Sequence, residues 1–172
     1  MEEGMKKKAM RLLLVFLVLF PMVLTTHAAE QDDIDVQLTV LKIEVVSGEE
    51  IFAPVAVIRP GDVLQYTLVY KIIGKDEILE LLTQLPIPEG MEYVPDSARP
   101  SNVHASVDNN DFSPVPLQRT VKKINGQESR EEIPAWAYRT LGWPMRGLAP
   151  GDEITVSARL RVNFIPEPSG EK

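Results

Sequence analysis

The chain has 172 residues, of which 25 are acidic and 18 are basic, so its formal net charge is −7. This acidity argues against a nucleic-acid partner, because phosphates are neutralised by Lys and Arg, and against docking to anionic lipid. The chain has no cysteine, which excludes disulfides, thiol catalysis and cysteine-based zinc sites.

The first 28 residues have the pattern of a secretory signal peptide. Three lysines and an arginine between positions 6 and 11 precede an apolar stretch, 12–24, that only Pro21 interrupts. In "THA", 26–28, Thr26 and Ala28 offer small side chains at positions −3 and −1 to a signal peptidase. The apolar stretch is short for a membrane span. We therefore predict a cleaved signal-peptide helix at 1–28 and a product in the periplasm or outside the cell; an uncleaved anchor is the alternative.

Cleavage would leave 144 residues with a net charge of −9, because four basic and two acidic residues are removed with the peptide. Residues 29–35 are then an acidic N-terminal segment, 36–164 carry strand patterns, and 165–172 form a polar tail. This length suits one domain with its own core. The tail has no second apolar segment, so we expect no membrane attachment in the mature form.

The mature chain opens with two runs of apolar residues. In "VQLTVLKIEVV", 36–46, the alternation slips between Val40 and Leu41, which predicts a bulge or a change of sheet. "SGEE" predicts a turn at 47–50, and "IFAPVAVI" predicts a second strand. Pro54 within that run indicates a sheet edge or a bulge.

Two later segments, "RPGDVLQYTLVYKI" and "APGDEITVSARLRV", share Pro-Gly-Asp followed by alternation. Pro before Gly predicts a type II turn in which Gly adopts a positive φ. The alternating apolar positions predict the inward faces of two half-buried strands. These positions are Leu64, Tyr66, Leu68, Tyr70 and Ile72 in the first strand, and Ile154, Val156, Ala158, Leu160 and Val162 in the second. The shared triplet therefore predicts two structural corners, not a binding motif used twice.

The remaining strand signals are short. "EILELLTQLP", 77–86, ends in proline and is too short for a stable helix, which favours a strand. The Asx-rich segment 107–111 and the pair Asn125-Gly126 predict hairpin turns. "AWAYRTLGW", 135–143, predicts an aromatic strand. With seven to nine short strands and no helix after the signal peptide, we predict an all-β, antiparallel β-sandwich.

Four segments occur in an informative order: "PGDVLQYTLVYKIIG", "LPIPEGMEYVPDSA", "SVDNNDF" and "YRTLGWPMRGLAPGDEITVSARLRV". They resemble "PGDxxxYTxxxxNxG", "LPxGxxYVxxSA", "SVDGGxxF" and "WxxxxLxPGxxxTxxxxxxV" of the bacterial Ig-like conserved-repeat domain, domain of unknown function eleven. The family's Asn is Ile72 here, and its turn glycines are Asn109 and Asn110. The resemblance covers about 36–162. It implies an immunoglobulin-like sandwich, secreted or on the cell surface, with no catalytic residues to transfer.

The candidate sites are few. His104 is the only histidine after the signal peptide, and no metal-binding spacing or nucleophile motif accompanies it. We therefore predict no catalytic residue and no cofactor. The sequence "DNND" is a weak calcium candidate, because its oxygen ligands lack the EF-hand spacing and an Asx-rich turn explains them equally. Its residues are Asp108, Asn109, Asn110 and Asp111.

The aromatic residues suggest either a core or a sugar-binding surface. Alternation along one strand would place Trp136 and Tyr138 together in the core and Trp143 on the other face, unless Gly142 breaks the strand. A carbohydrate- or polymer-binding domain would instead need an exposed ring, for which Trp143 and Tyr93 are the candidates.

Three functional hypotheses follow. The preferred one is a non-enzymatic, secreted structural or interaction module that binds an unknown envelope or extracellular protein through edge strands or loops 95–102 and 109–118. The second is a carbohydrate- or polymer-binding sandwich. The third, a hydrolase, would require a concave site with a convergent acid, base and nucleophile.

Overall fold

The computed structural model describes residues 33–164; the predicted signal peptide 1–28, residues 29–32 and the tail 165–172 lie outside them. The described residues form eleven strands, more than the seven to nine predicted, because strands of two or three residues show no periodicity. The strands are β1 (Ile34–Val46), β2 (Glu49–Pro54), β3 (Val63–Ile72), β4 (Ile78–Pro86), β5 (Met91–Tyr93), β6 (His104–Ser106), β7 (Ser113–Pro114), β8 (Gln118–Lys122), β9 (Glu128–Glu132), β10 (Thr140–Leu148) and β11 (Glu153–Val162). The strand β1 begins inside the acidic segment 29–35.

All strand pairs in this part of the chain are antiparallel. A five-stranded sheet has the order β2-β1-β3-β11-β5, and a four-stranded sheet has the order β4-β10-β6-β7. The strands β8 and β9 form a separate hairpin around Asn125-Gly126, as predicted. The prediction of an all-β chain with antiparallel sheets is confirmed. Within 33–164, no helix has the length and apolarity that crossing a bilayer requires.

Both large sheets contribute to one buried apolar cluster, an arrangement consistent with a β-sandwich. The predicted inward residues of β3 and β11 supply one half, including Leu68, Tyr70, Val156, Ala158 and Leu160. The other half comes from β4, β6 and β10, through Leu85, Ala105, Leu141 and Trp143. Burial of each large apolar side chain contributes about 1.5–3 kcal/mol, so this layer is the main source of stability.

The two Pro-Gly-Asp corners have the predicted geometry. Gly61 and Gly151 have φ values of 86° and 90°, which favour glycine. In each corner the N–H of the Asp donates to the carbonyl three residues earlier, at 3.0 Å. The carboxylates of Asp62 and Asp152 in turn accept the N–H of that same earlier residue, at 2.8 Å. The corners are thus equivalent turns, each closed by its own Asp.

Each corner also donates a hydrogen bond to the last residue of the strand that follows the other corner. The N–H of Gly61 donates to the carbonyl of Val162, the last residue of β11, at 2.8 Å. The N–H of Gly151 donates to the carbonyl of Ile72, the last residue of β3, also at 2.8 Å. The neighbouring strands β3 and β11 are therefore closed at both ends by reciprocal hydrogen bonds.

The strand β1 has neither a bulge nor a change of sheet, so this prediction is wrong. It pairs with β3 in a single register from Ile34 to Ile43. The apparent slip arises because β1 carries apolar side chains on both faces, with Val40 on the inner face and Leu41 on the outer. The second half of β1 also pairs with β2, which is an edge strand ending at Pro54, as the proline indicated.

Candidate functional site

The aromatic residues do not lie where alternation predicted. Trp136 is 65% exposed on a 3₁₀ turn, Ala135–Ala137, so its assignment to the core is wrong. Tyr138 is buried, as predicted, but Trp143 is wholly buried, and its indole N–H donates to the carbonyl of Pro100 at 2.8 Å. The 3₁₀ turn interrupts the extended chain, so positions before and after it do not share one alternation.

Both rings that the carbohydrate hypothesis required are inaccessible. Trp143 has no exposed surface, and Tyr93 is only 3% exposed. The ring of Tyr93 stacks on that of Tyr138, with centroids 6.3 Å apart. Trp136 is therefore the exposed aromatic ring among these candidates, and it is one that the sequence assigned to the core.

The calcium candidates form the turn between β6 and β7. One carboxylate oxygen of Asp108 accepts the N–H groups of Asn110 and Asp111, at 2.9 and 3.0 Å, and the hydroxyl of Ser106 at 2.8 Å. These bonds, led by that from Asn110, lower the pKa of Asp108 to about 2. Asn109 has a φ of 68°, and its side-chain oxygen accepts the hydroxyl of Thr140. The side-chain oxygens of Asp108 and Asn109 therefore hold the turn together. In the described part of the chain, no group of three His, Asp or Glu residues could hold a metal ion.

His104 lies on β6, where it pairs with Gly142 of β10 and Pro114 of β7. Its Nδ1 is buried and finds no hydrogen-bond partner among the described residues. The nearby hydroxyl of Ser106 donates to Asp108, so these two neighbours are engaged with each other. Among the described residues, His104 lines none of the best-formed surface depressions.

The two candidate loops are more structured than predicted. Residues that follow β5 run along β11, where the N–H of Val94 donates to Arg159 and Arg99 pairs with Ser157. Loop 109–118 contains β7, and the N–H of Leu117 donates to the hydroxyl of Tyr138. Residues of the two loops flank two small grooves, of about 190 and 230 Å³.

An uncovered apolar face on β1 is the feature that sequence reasoning missed. Val36 and Leu38 pair with Tyr70 and Leu68 of β3, so their side chains point to the inner side of the sheet. Nevertheless they are 48% and 54% exposed, whereas their partners on β3 are buried. The four-stranded sheet therefore covers β3 and leaves Val36 and Leu38 of β1 uncovered.

The edge of the four-stranded sheet lies beside this face. Within residues 33–164, β4 pairs with β10 and with no other strand. The hydroxyl of Tyr70 donates to the carbonyl of Gln84 at 3.0 Å and accepts its N–H at 3.2 Å. A side chain from β3 thus reaches the unpaired edge of β4. Leu79, on the inner face of β4, is 73% exposed. We call this surface the open side; it comprises the inner face of β1 at 36–38 and the unpaired edge of β4 at 78–82.

No family model, curated protein or solved structure matches this chain. Functional inference therefore depends on the geometry of the open side and on the motif resemblance given above.

Proposed function

We propose that this protein is an exported bacterial module with an immunoglobulin-like sandwich fold, which binds another protein and does not catalyse a reaction. Four motifs in order, and two antiparallel sheets with a shared core, support the fold. The observation that carries the function is the open side, where Val36 and Leu38 expose apolar surface beside the unpaired edge of β4.

This surface is unfavourable in an isolated molecule. Apolar area in water costs about 25 cal/mol per Å², and an unpaired strand edge leaves backbone groups free to pair with another chain. Contiguous exposed apolar surface beside a free edge is typical of a protein-binding site. The partner is an envelope or extracellular protein, as the predicted signal peptide implies.

Crosslinking in the native envelope tests this function. We expect the wild-type protein to give a discrete crosslinked partner and Leu38→Asp to lose it, because the substitution places a charge on the inner face of β1. Thr39→Asp is the matched control, since the adjacent residue points to the opposite face. If wild type gives no crosslinked partner, or if both variants retain the same partner, the open side is not the binding surface that this function needs.

A second candidate function, binding of a carbohydrate or another polymer, is favoured by one observation, the exposed ring of Trp136. Stacking on a sugar requires such a ring. Because Trp143 is buried, quenching of tryptophan fluorescence by an added glycan would report on Trp136. A glycan panel that leaves the wild-type emission unchanged would eliminate this candidate, and quenching that persists in Trp136→Phe would assign the effect elsewhere.

A further inference from the structure

The unpaired edge of β4 is available over a defined length. The backbone groups of Gln84 are bonded by the hydroxyl of Tyr70, on the side away from β10. In an antiparallel ladder, alternate residues direct N–H and C=O to the same side. Ile78, Glu80 and Leu82 therefore direct theirs to the unpaired side, and the Tyr70 hydroxyl marks where that edge ends.

The inner face of β1 lies under the position that an added strand would take. Because a side chain stands roughly perpendicular to its sheet, the contact between Tyr70 and Gln84 places β3 beneath the unpaired edge of β4. Neighbouring strands are about 4.8 Å apart in a sheet. A strand that paired with β4 would thus lie over β1, with alternate side chains packed on Val36 and Leu38.

A second copy of this chain cannot supply that strand from its own β4. Symmetric pairing of two β4 strands would place both four-stranded sheets in one continuous sheet, with both five-stranded sheets on the same side of it. The two β4 strands would be only about 4.8 Å apart, so the two β3 strands, each beneath the edge of its own β4, would occupy the same space. The added strand must therefore come from another segment.

Acidic residues mark one end of the site. Asp33 accepts backbone hydrogen bonds from residues 73 and 74, so it lies beside the turn that joins β3 to β4. That turn also carries Asp76 and Glu77 against a single cation, Lys75. A basic residue is therefore favoured at this end of a bound segment, and no such excess of charge exists on the face formed by Val36 and Leu38.

We infer that β4 accepts an extended segment of a partner protein as an additional strand, with apolar residues at alternate positions and a Lys or Arg at the end nearest the β3–β4 turn. This inference rests on the proposed function and names the chemistry of its partner. The segment pairs with about five residues of β4, from Ile78 to Leu82, and covers the inner face of β1.

Hydrogen exchange by NMR, on the protein as recovered from the producing cells, tests this inference. The probe is a synthetic peptide with three Val residues alternating with Thr and one terminal Lys; the control peptide has Pro in place of the central Val. On addition of the probe, the amides of Glu80 and Leu82 should exchange at least about tenfold more slowly, because each gains a hydrogen-bond partner. The amides of Leu81 and Thr83 should not change, because they face β10 already.

Two pairs of variants give independent evidence. Glu80→Pro removes one unpaired N–H, whereas Glu80→Ala keeps it, and both lose the exposed ion pair with Arg146. We expect the proline variant to bind the probe about tenfold more weakly and the alanine variant to bind as wild type. If Glu80→Pro does not fold, probe binding is compared between Leu38→Asp and Thr39→Asp. Only Leu38 lies on the inner face of β1, which the bound segment would cover.

The outcomes separate this inference from the proposed function. Slowed exchange at Glu80 and Leu82 supports strand addition at β4. Slowed amide exchange on β2 or β5 instead would overturn this inference, but the proposed protein-binding function would stand. Crosslinked partners that persist in Leu38→Asp, with no probe binding, also overturn it. A complete absence of crosslinked partners in the envelope removes the proposed function itself.

Discussion

Trp143 shows how one residue connects the loop after β5 to the core. Its ring has no exposed surface, and its indole N–H bonds to Pro100 across the molecule. Trp136, by contrast, is 65% exposed. We expect Trp143→Ala to lose about 3–5 kcal/mol of unfolding free energy, through a cavity and an unpaired carbonyl. Trp136→Ala should change it by less than about 0.5 kcal/mol. Urea denaturation measures both, and similar losses would contradict the assigned burial.

Asp108 gives the turn between β6 and β7 a dependence on pH. Its pKa is lowered from 3.8 to about 2, because the folded turn donates hydrogen bonds to the carboxylate. A carboxyl group with a lowered pKa in the folded state stabilises the protein at pH values above its pKa in the unfolded state. This stabilisation is lost as the pH falls to the lower pKa of the folded state. We therefore expect the destabilisation caused by Asp108→Ala to shrink between about pH 4 and about pH 2.

Thermal unfolding of wild type and Asp108→Ala at several pH values measures this effect. Asp111→Ala is the control, because there the backbone N–H of residue 111, not its carboxylate, bonds to Asp108. A difference between wild type and Asp108→Ala that stays constant down to about pH 2 would contradict the assigned hydrogen bonds.

At the scale of elements, the β8–β9 hairpin contributes little to the shared core. It forms its own two-stranded sheet, and its base is joined by the bond from the N–H of Ile133 to the carbonyl of Leu117. Its cross-strand ion pair, Arg119 with Glu131, is exposed and worth at most about 1 kcal/mol. Replacing 119–131 by a short Gly/Ser linker should therefore cost about 1 kcal/mol or less.

Near-ultraviolet circular dichroism of the shortened protein should keep the signal of the buried Trp143. A control deletion of β11, Glu153–Val162, should abolish it, since β11 supplies Val156, Ala158 and Leu160 to the core. Loss of cooperative unfolding in the hairpin deletion would show that the hairpin carries more of the stability than its contacts indicate.

At the scale of the whole molecule, the predicted signal peptide is directly testable. Expression of the full chain in a bacterium should yield an exported product that begins at Ala29, detectable by N-terminal sequencing or intact mass. Ala28→Tyr should accumulate the precursor, because signal peptidase requires a small residue before the cleavage point. A wild-type product that retains its first 28 residues in the membrane fraction would support the alternative, an uncleaved anchor.

Local patterns predicted much of this architecture. The inward residues of β3 and β11 were identified because each strand has one solvent-exposed face, so apolar and polar residues alternate clearly along it. Turn chemistry identified both Pro-Gly-Asp corners and the hairpin at Asn125-Gly126. The burial of Trp143 was missed because the 3₁₀ turn before β10 breaks the alternation on which the assignment depended.

The open side could not be predicted in this way. Val36 and Leu38 have the alternation of any inward-facing pair, and the sequence alone does not show which opposing strand covers them. Their exposure depends on the lateral offset between the two sheets, a property of the packed molecule. The strand β1 resembled a bulged strand for a different reason, because it carries apolar residues on both faces.

The reciprocal bonds between the Pro-Gly-Asp corners have a consequence for how the protein is made. The pair β3–β11 joins the first third of the described chain to its end, with Val63 opposite Arg161. Contacts between residues so distant in sequence form slowly and late. A nascent chain therefore lacks its central strand pair until β11 has left the ribosome. Under the proposed export this delay is an advantage, because the unfolded chain is the form that a translocation channel accepts.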